Sequence, residues 1–275
     1  YRCMRAEVPK SRKIHTDDTP IRVLAPGNGR TKTARFWVYL GDADHPFTVF
    51  DYTASRSRDG PEKFLKGFKG YLQADAYTGY DRLYAGRDII EVACWAHARR
   101  KFYEARETDL RADEILALIG EVYAVEELAR SLNAAGRQQL RQMRTQPVLD
   151  RIRAWLDARV LDTLPKSPLG QALTYALNQW KALTRFVDDG QLEADNNLGE
   201  NALRPIALGR KNYMFVGSDD GGRRAAILYS LVRTCERHNL NAWDYLRDVL
   251  IRISSHPASQ IDDLLPDRWK PAPAP

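Results

Sequence analysis

Cysteine is scarce: Cys3, Cys94 and Cys235 are the three in 275 residues. They are too few and too scattered for a disulfide framework, so a reducing cytoplasm is the expected setting. No apolar run approaches the ~18 residues that suggest a membrane span, and no secretory signal pattern is present, so no membrane partner is expected. A Gly-rich phosphate loop is missing, as is any Ser/His/Asp or Cys/His arrangement that would signal a protein nucleophile. There are no internal repeats. The chain also lacks an initiator Met; it opens at Tyr1, and its first ten residues read like the interior of a longer protein whose N-terminal portion is absent.

What the chain has is an ordinary globular balance, 44% hydrophobic and 28% charged, enough for one large or two modest domains. Lys plus Arg number 42 against 36 acidic residues, a net charge of +6. A basic balance favours polyanionic partners, because neutralising phosphates releases counterions. Composition permits nucleic-acid binding and does not establish it.

Periodicity divides the chain. Lys13–Leu24, Thr33–Gly41 and Pro46–Thr53 are rich in β-branched and aromatic residues. Turn signals at Pro26-Gly27-Asn28-Gly29 and Asp42-Ala43-Asp44 separate them, which predicts a three-stranded antiparallel meander. A short helix is predicted over Pro61–Phe68 with Pro61 at its first position, then strands over Tyr71–Ala76 and Ile89–Trp95. Trp37, Phe36, Tyr39 and Trp95 are read as sheet core. Three hairpin strands, a helix, a strand and then alternation is the order of a ribonuclease H-like α/β fold. From His97 to about Asp188 the apolar spacing turns helical. Ile115, Leu118, Ile119, Val122 and Val125 form one stripe, and Val148, Ile152, Trp155 and Leu156 another. Breaks fall near Asn133–Gly136 and Leu164–Pro168. Further helices are predicted over Ala194–Ala207, with Asp195 or Asn196 as N-cap and Pro205 near the end, and over Gly221–His238 and Ala242–Ile253. The Pro/Ala-rich tail from Pro266 reads as frayed.

Three acids invite a functional reading. Asp17 lies inside the first strand pattern and Asp75 inside the fourth, where acidic residues are depleted; a turn or strand-end role is the structural alternative. Glu200 sits on the helix that follows Asp195, where an i,i+4 pair with Arg204 is the alternative. Carboxylates converging from separate elements are what two-metal phosphoryl transfer requires, with ions roughly 3.5–4 Å apart.

Five blocks carry a resemblance: HTDDTPIRVL (15–24), LQADAYTGYDRL (72–83), CWAHARRKF (94–102), DNNLGENALRPIALGRKNYMF (195–215) and ILYSLVRTCERHNLNAWDYLRDVL (227–250). In this order they resemble the DDE transposases of the insertion-sequence-66 family. The resemblance implies an α/β, ribonuclease H-like mixed sheet with flanking helices and a large all-α insertion before the last catalytic helix. It implies catalytic and metal-binding roles for Asp17, Asp75 and Glu200, with two Mg²⁺ or Mn²⁺ ions. The implied organisation is a first core part (1–96), a helical insertion (97–190), the rest of the core with the catalytic helix (191–220) and a C-terminal helical region with the tail (221–275). Double-stranded DNA at transposon ends and targets is the implied partner. Homo-oligomerisation on DNA, companion proteins of the same element and association with the bacterial nucleoid are implied too. Two positions depart from the family: Asp18 stands where Glu is usual after the first Asp, and Asn201 where Arg is usual after the Glu. The second change removes a cation beside the site, which keeps a catalytically inactive DNA-binding relic as an alternative, with another ribonuclease H-like nuclease behind it.

Basic residues cluster at His97, Arg99, Arg100 and Lys101, with Arg106 beyond, and at Arg204, Arg210 and Lys211, with Arg223 and Arg224 beyond. A helical 97–106 places Arg99 near Tyr103, a basic and aromatic face suited to a phosphate backbone; a solvated helix face is the alternative. Gly209, Gly217, Gly221 and Gly222 are read as allowing close approach of the backbone to DNA. Cys94 with His97, and Cys235 with His238, are two C-x2-H pairs of zinc-ligand type. Their wide separation makes a buried thiol and a core- or phosphate-facing imidazole the simpler reading.

Overall fold

The computed structural model describes residues 1–27, 29–75 and 77–271, and its architecture is α/β. The chain divides into two compact units. One comprises Tyr1–Leu72, Tyr77–Ile90 and Leu198–Pro275; the other comprises Gln73–Ala76 and Glu91–Asn197. In chain order the first half runs α1 (Arg2–Glu7), β1 (Lys13–Val23), β2 (Lys32–Leu40), β3 (Thr48–Thr53), α2 (Asp59–Phe64), β4 (Gly70–Gln73), α3 (Asp81–Ala85) and β5 (Ile89–Val92). Six helices follow: α4 (Trp95–Ala105), α5 (Ala112–Ala129), α6 (Ala134–Leu140), α7 (Gln146–Val160), α8 (Pro168–Asn178) and α9 (Trp180–Thr184). The chain continues through α10 (Asn197–Tyr213), α11 (Asp219–Arg237) and α12 (Ala242–Arg252).

The sheet has the order β3-β2-β1-β4-β5. β1 and β2 pair antiparallel from His15 opposite Leu40 to Val23 opposite Lys32, and β2 pairs antiparallel with β3. Side chains alternate across a strand, so this register sorts every residue to one of two faces. On one face Ile21, Val23, Ala34, Phe36, Val38, Phe50 and Tyr52 pack with Ala202, Leu203 and Ile206 of α10 and Ala226 of α11. Each of the buried Ile, Val, Leu and Phe side chains contributes about 1.5–3 kcal/mol. On the other face Tyr39 stacks on Phe64, and Trp37 meets Tyr80 edge-on. α11 runs along the outer strand β3. Ser230 Oγ accepts the Phe50 N–H at 2.8 Å, and Thr234 Oγ1 accepts that of Thr48 at 3.1 Å. Both hydroxyls are buried. Gly222 permits this approach, since a Cβ there would lie 2.4 Å from the Tyr52 ring.

The second unit is helical apart from the strand residues it shares. α4 buries Trp95, Ala98, Phe102 and Ala105, and α5 buries Ile115, Ile119 and Val122; α7 and α8 add Val148, Leu149, Ile152, Leu156, Leu169, Ala172 and Leu173. Asn133 caps α6 by accepting the Gly136 N–H, and Ser167 caps α8 by accepting that of Gly170. These are the two breaks the sequence places near Asn133–Gly136 and Leu164–Pro168. One polar group organises the interior. The Arg141 side chain is fully buried, donates to both Glu126 oxygens at 2.8 and 2.6 Å, and donates to the carbonyls of Phe186 (2.9 Å), Asp189 (3.3 Å) and Leu192 (2.9 Å). Gly120, in the middle of α5, has the opposite character from Gly222: a Cβ added there meets nothing within 4 Å. Such a glycine costs roughly 0.8–1 kcal/mol of helix stability relative to Ala, and no close contact in this fold calls for it.

Several element boundaries differ from the sequence expectation. The helix placed at Pro61–Phe68 is α2, which begins two residues earlier and stops at Phe64, before Gly67 at φ +83°. The strand expected through Ala76 ends at Gln73, so Asp75 lies beyond it rather than inside it; Ala76 is outside the described residues. The strand expected through Trp95 ends at Val92. The N–H of Ala93 then donates to Ala182 O, and Trp95 opens α4. α10 runs on to Tyr213 with Pro205 inside it. A mid-helix Pro costs about 3 kcal/mol, and burial of Leu203 and Ile206 on either side offsets that cost. The expected turn at Asn28 and the last four residues of the tail lie outside the described residues. The described part of the tail is not frayed as expected: Pro266 is buried, and Trp269 donates to Asp248 Oδ2 at 2.7 Å and meets the Tyr245 ring edge-on.

Replacing Arg141 with Ala strands a buried Glu126 carboxylate and three carbonyls. A loss of about 3–5 kcal/mol is expected, read as a lower urea midpoint for the helical unit. An unchanged midpoint would show that the network contributes nothing.

Candidate active site

Asp17 and Asp18 are neighbours in β1 that the pleat sends to opposite faces. Asp17 stands opposite Val38, on the face that α10 and α11 cover. It is half-buried, and its Oδ1 accepts the Asp18 N–H at 2.7 Å. Asp18 stands opposite Trp37 with its side chain only 2% exposed. Its carboxylate takes Arg35 Nη1 at 2.9 Å and Arg56 Nε and Nη2 at 3.1 and 2.8 Å. The Arg56 guanidinium lies in turn over the Tyr77 ring, 4.1 Å from its centroid. Asp18 is therefore a structural anion, and Asp17 is the acid that shares a face with the covering helices.

Glu200 occupies the first turn of α10, half-buried, where a carboxylate is favoured by the helix dipole. The other end of α10 is fastened to β1. Arg210 Nη1 donates to Thr19 Oγ1 at 3.0 Å and to Pro20 O at 2.8 Å. After the helix, Val216 forms a parallel bridge with Val23: the Leu24 N–H donates to Val216 O, and the Val216 N–H to Arg22 O, both at 2.9 Å. Arg210, expected to face DNA, thus uses donors inside the protein. Arg204 and Lys211 on the same helix are exposed.

Asp75 lies two residues past β4 in the short segment that belongs to the second unit, half-buried. Within that unit a residue that sequence reasoning missed connects its segment to the approach to α10. Gln73 is fully buried. Its Nε2 donates to Glu193 O at 2.6 Å and Asp195 O at 2.8 Å, and its Oε1 accepts the Glu193 N–H at 3.3 Å. The Trp95 N–H donates to Ala194 O at 3.0 Å, and the Asn196 N–H to Cys94 Sγ at 3.2 Å. Asp195, one of the two expected caps, accepts the Asn197 N–H at 3.0 Å. The available signal for Gln73 was a polar residue at an inward strand position.

Of the basic residues on α4, Arg99 and Arg100 are exposed and His97 is half-buried. Lys101 lies 4.9 Å from the Tyr175 ring centroid, a cation–π contact within the helical unit. Gly222 and Gly209 serve packing, since a Cβ on Gly209 would fall 2.8 Å from Tyr213. Each cysteine of the two C-x2-H pairs is buried. Burial pushes the Cys94 thiol up to about 11, offset in part by the N–H of Asn196, and burial likewise pushes Cys235 up to about 11. His238 Nε2 lies 3.1 Å from Pro46 O, the geometry of a ring N–H donating to a carbonyl.

Against known families, residues 1–224 match the model described as Transposase IS66 family, and residues 230–266 match the IS66 C-terminal element. Among curated proteins the chain is similar to the uncharacterized proteins y4qI and y4jD of Sinorhizobium fredii (strain NBRC 101917 / NGR234). It is 34% identical to y4qI over 281 residues, covering 96% of this chain and 52% of that protein. It is 35% identical to y4jD over 287 residues, covering 98% and 56%. The chain belongs to the IS66 transposase family. It spans about half the length of the curated relatives it matches. Among the described residues, no helix is long and apolar enough to cross a membrane.

The two neighbouring acids should separate cleanly on mutation. Asp18→Asn, which breaks a buried pair with two guanidiniums, is expected to cost about 1–3 kcal/mol in a chemical-denaturation series, while Asp17→Asn stays within about 1 kcal/mol of the parent. Equal losses at both positions would contradict the assignment of Asp18 as the structural anion. Cys94, a buried thiol with a raised pKa, should resist alkylation at pH 8 in the folded chain and react promptly in denaturant. Equal labelling rates in the two states would show that it is accessible.

Proposed function

We propose that this chain is the catalytic part of a DNA transposase, with Asp17, Asp75 and Glu200 as its acidic triad. The observation that carries the reading is the family match over residues 1–224. The sheet supports it: an antiparallel trio with two further strands beside β1 is consistent with a ribonuclease H-like core. The placement of Asp17 on the face against which α10 packs, with Glu200 in the first turn of α10, supports it further.

The three carboxylates are hard oxygen donors, half-buried in this structure, and donors of this kind fit Mg²⁺ or Mn²⁺. When bound, two such ions supply activation of the attacking oxygen and stabilisation of the leaving one. Asp17 lies on a strand fixed by register, and Glu200 on a helix tied to that strand through Arg210, which supports this reading. Gln73 orients the segment that leads to Glu200 and precedes Asp75 by two residues, a positioning role. The reaction is hydrolysis of a phosphodiester at a transposon end, followed by attack of the freed 3′-hydroxyl on target DNA. None of the three acids forms a covalent intermediate. Double-stranded DNA is the substrate, and oligomers on DNA and companion proteins of the element belong to the same proposal.

The test is Mg²⁺- or Mn²⁺-dependent nicking of the cognate element's end. Asp17→Asn, Asp75→Asn and Glu200→Gln are each expected to bring nicking to background with an unchanged circular-dichroism spectrum. Undiminished cleavage by Asp75→Asn protein would sink the triad. DNA binding without nicking by the parent chain, across metals and pH, would identify a non-catalytic DNA-binding protein.

A further inference from the structure

The two helices α4 and α5 flank an open hollow that none of the three acids lines. α4 buries Trp95, Ala98, Phe102 and Ala105; Ala96, Arg99, Arg100 and Tyr103, on its other side, line a cavity of about 540 Å³. Gly120 and Tyr123 of α5 and Asn197 complete the wall. The volume lies in the range of small-ligand sites. Its lining offers two exposed guanidiniums, two phenol rings and one carboxamide, whose Nδ2 donates to the Asp195 carboxylate at 2.7 Å. Tyr103 is 53% exposed, an aromatic face open to a visitor. Burial, with the nearby Asp195 carboxylate, raises the pKa of the Tyr123 phenol.

Gly120 is the second observation. It weakens α5, and its missing Cβ points into open space rather than into a neighbour. Gly120 thus lines the hollow without a side chain of its own.

We propose that this pocket receives one unpaired nucleotide of a DNA strand, its base against Tyr103 and its phosphates on Arg99 and Arg100. The inference rests on the DNA-processing reading above and deepens it. Guanidinium forks match phosphate oxygens, and aromatic rings stack on any base. An acidic peptide offers charge but no flat π face for Tyr103. A duplex presents its phosphates along a ridge and has no unpaired base to place in a hollow, whereas an overhang or an extruded nucleotide does.

The experiment is fluorescence anisotropy with the whole chain at fixed salt, using a labelled blunt duplex, the same duplex with a short single-stranded overhang, and the single strand alone. The overhang duplex and single strand are expected to bind at least about fivefold tighter than the blunt duplex. Tyr103→Ala should weaken them by about 5- to 150-fold while leaving the blunt duplex unchanged. Arg99→Ala and Arg100→Ala should each lower the salt slope by about 0.7. Gly120→Ala is the most telling variant: it should raise Tm by about 2–4 °C and weaken overhang binding. Equal affinity for all three DNAs, or unchanged overhang binding in the Tyr103 and Gly120 variants, overturns the proposal. Full displacement by a deoxynucleoside monophosphate at the oligonucleotide's own affinity would assign the pocket to a free nucleotide, and full displacement by polyglutamate would assign it to an acidic peptide; either overturns it. Nicking is read separately on the blunt duplex. A chain that nicks while these variants bind normally loses the pocket alone, and a chain that never nicks but prefers overhangs through Tyr103 loses the catalytic reading alone.

Discussion

A β-strand sends successive side chains to opposite faces, and in β1 that alternation separates Asp17 from Asp18. The register against β2 and β3 fixes which acid goes where, because Val38 and Phe50 on one face and Trp37 on the other are all buried. A slip of one residue would exchange the two carboxylates and drive apolar side chains to the wrong side at once. The guanidiniums of Arg35 and Arg56 then reinforce the sorting: Asp18 has cations on its own face and would lose them on the other. The hydrogen bonds of Arg210 to β1, and the bridge from Val216 to Val23, carry the same strand's geometry to α10. Strand register is thus the reference from which the first unit's acidic residues take their positions.

The helical unit solves a different problem, that of ordering a stretch with little regular structure of its own. Between α9 and α10 the chain offers few repeating hydrogen bonds. Arg141 supplies donors to its carbonyls at Phe186, Asp189 and Leu192, and Gln73 takes over at Glu193 and Asp195. A guanidinium suits this work because it presents five donors in a fixed plane. Removing it from water is tolerable since Glu126 neutralises it at 2.6 Å.

The antiparallel trio was legible in sequence because β-branched and aromatic runs and turn residues report local geometry. The helical stripes of α5 and α7 were legible for the same reason. Boundaries failed where tertiary contacts overrule local signals. Pro205 looked like a terminus and is carried through by the packing of Leu203 and Ile206. Trp95 looked like strand and begins a helix, its N–H meeting Ala194. Within the candidate site, Asp17 stood out by its neighbourhood in sequence, but nothing local showed that Asp18 is claimed by Arg56, 38 positions away. Gly222, read in sequence as a place for DNA to approach, and Gly120, not singled out there, are both glycines inside helices. One admits the Tyr52 ring and the other faces a void, a difference that exists only once helices are placed. The pocket was half visible, as a basic and aromatic face of α4; its far wall on α5 was not.

The hydroxyls of Ser230 and Thr234 have a consequence for how copies of this chain can meet. The outer strand of a sheet normally leaves amides pointing at solvent, a template onto which another strand can add. On β3 the amides of Thr48 and Phe50 are already engaged by α11, and Tyr52 packs against Gly222 of the same helix. That margin of the sheet is sealed against β-augmentation and edge-to-edge aggregation. Any assembly on that side has to be built from helix surfaces and their side chains, not by extending the sheet.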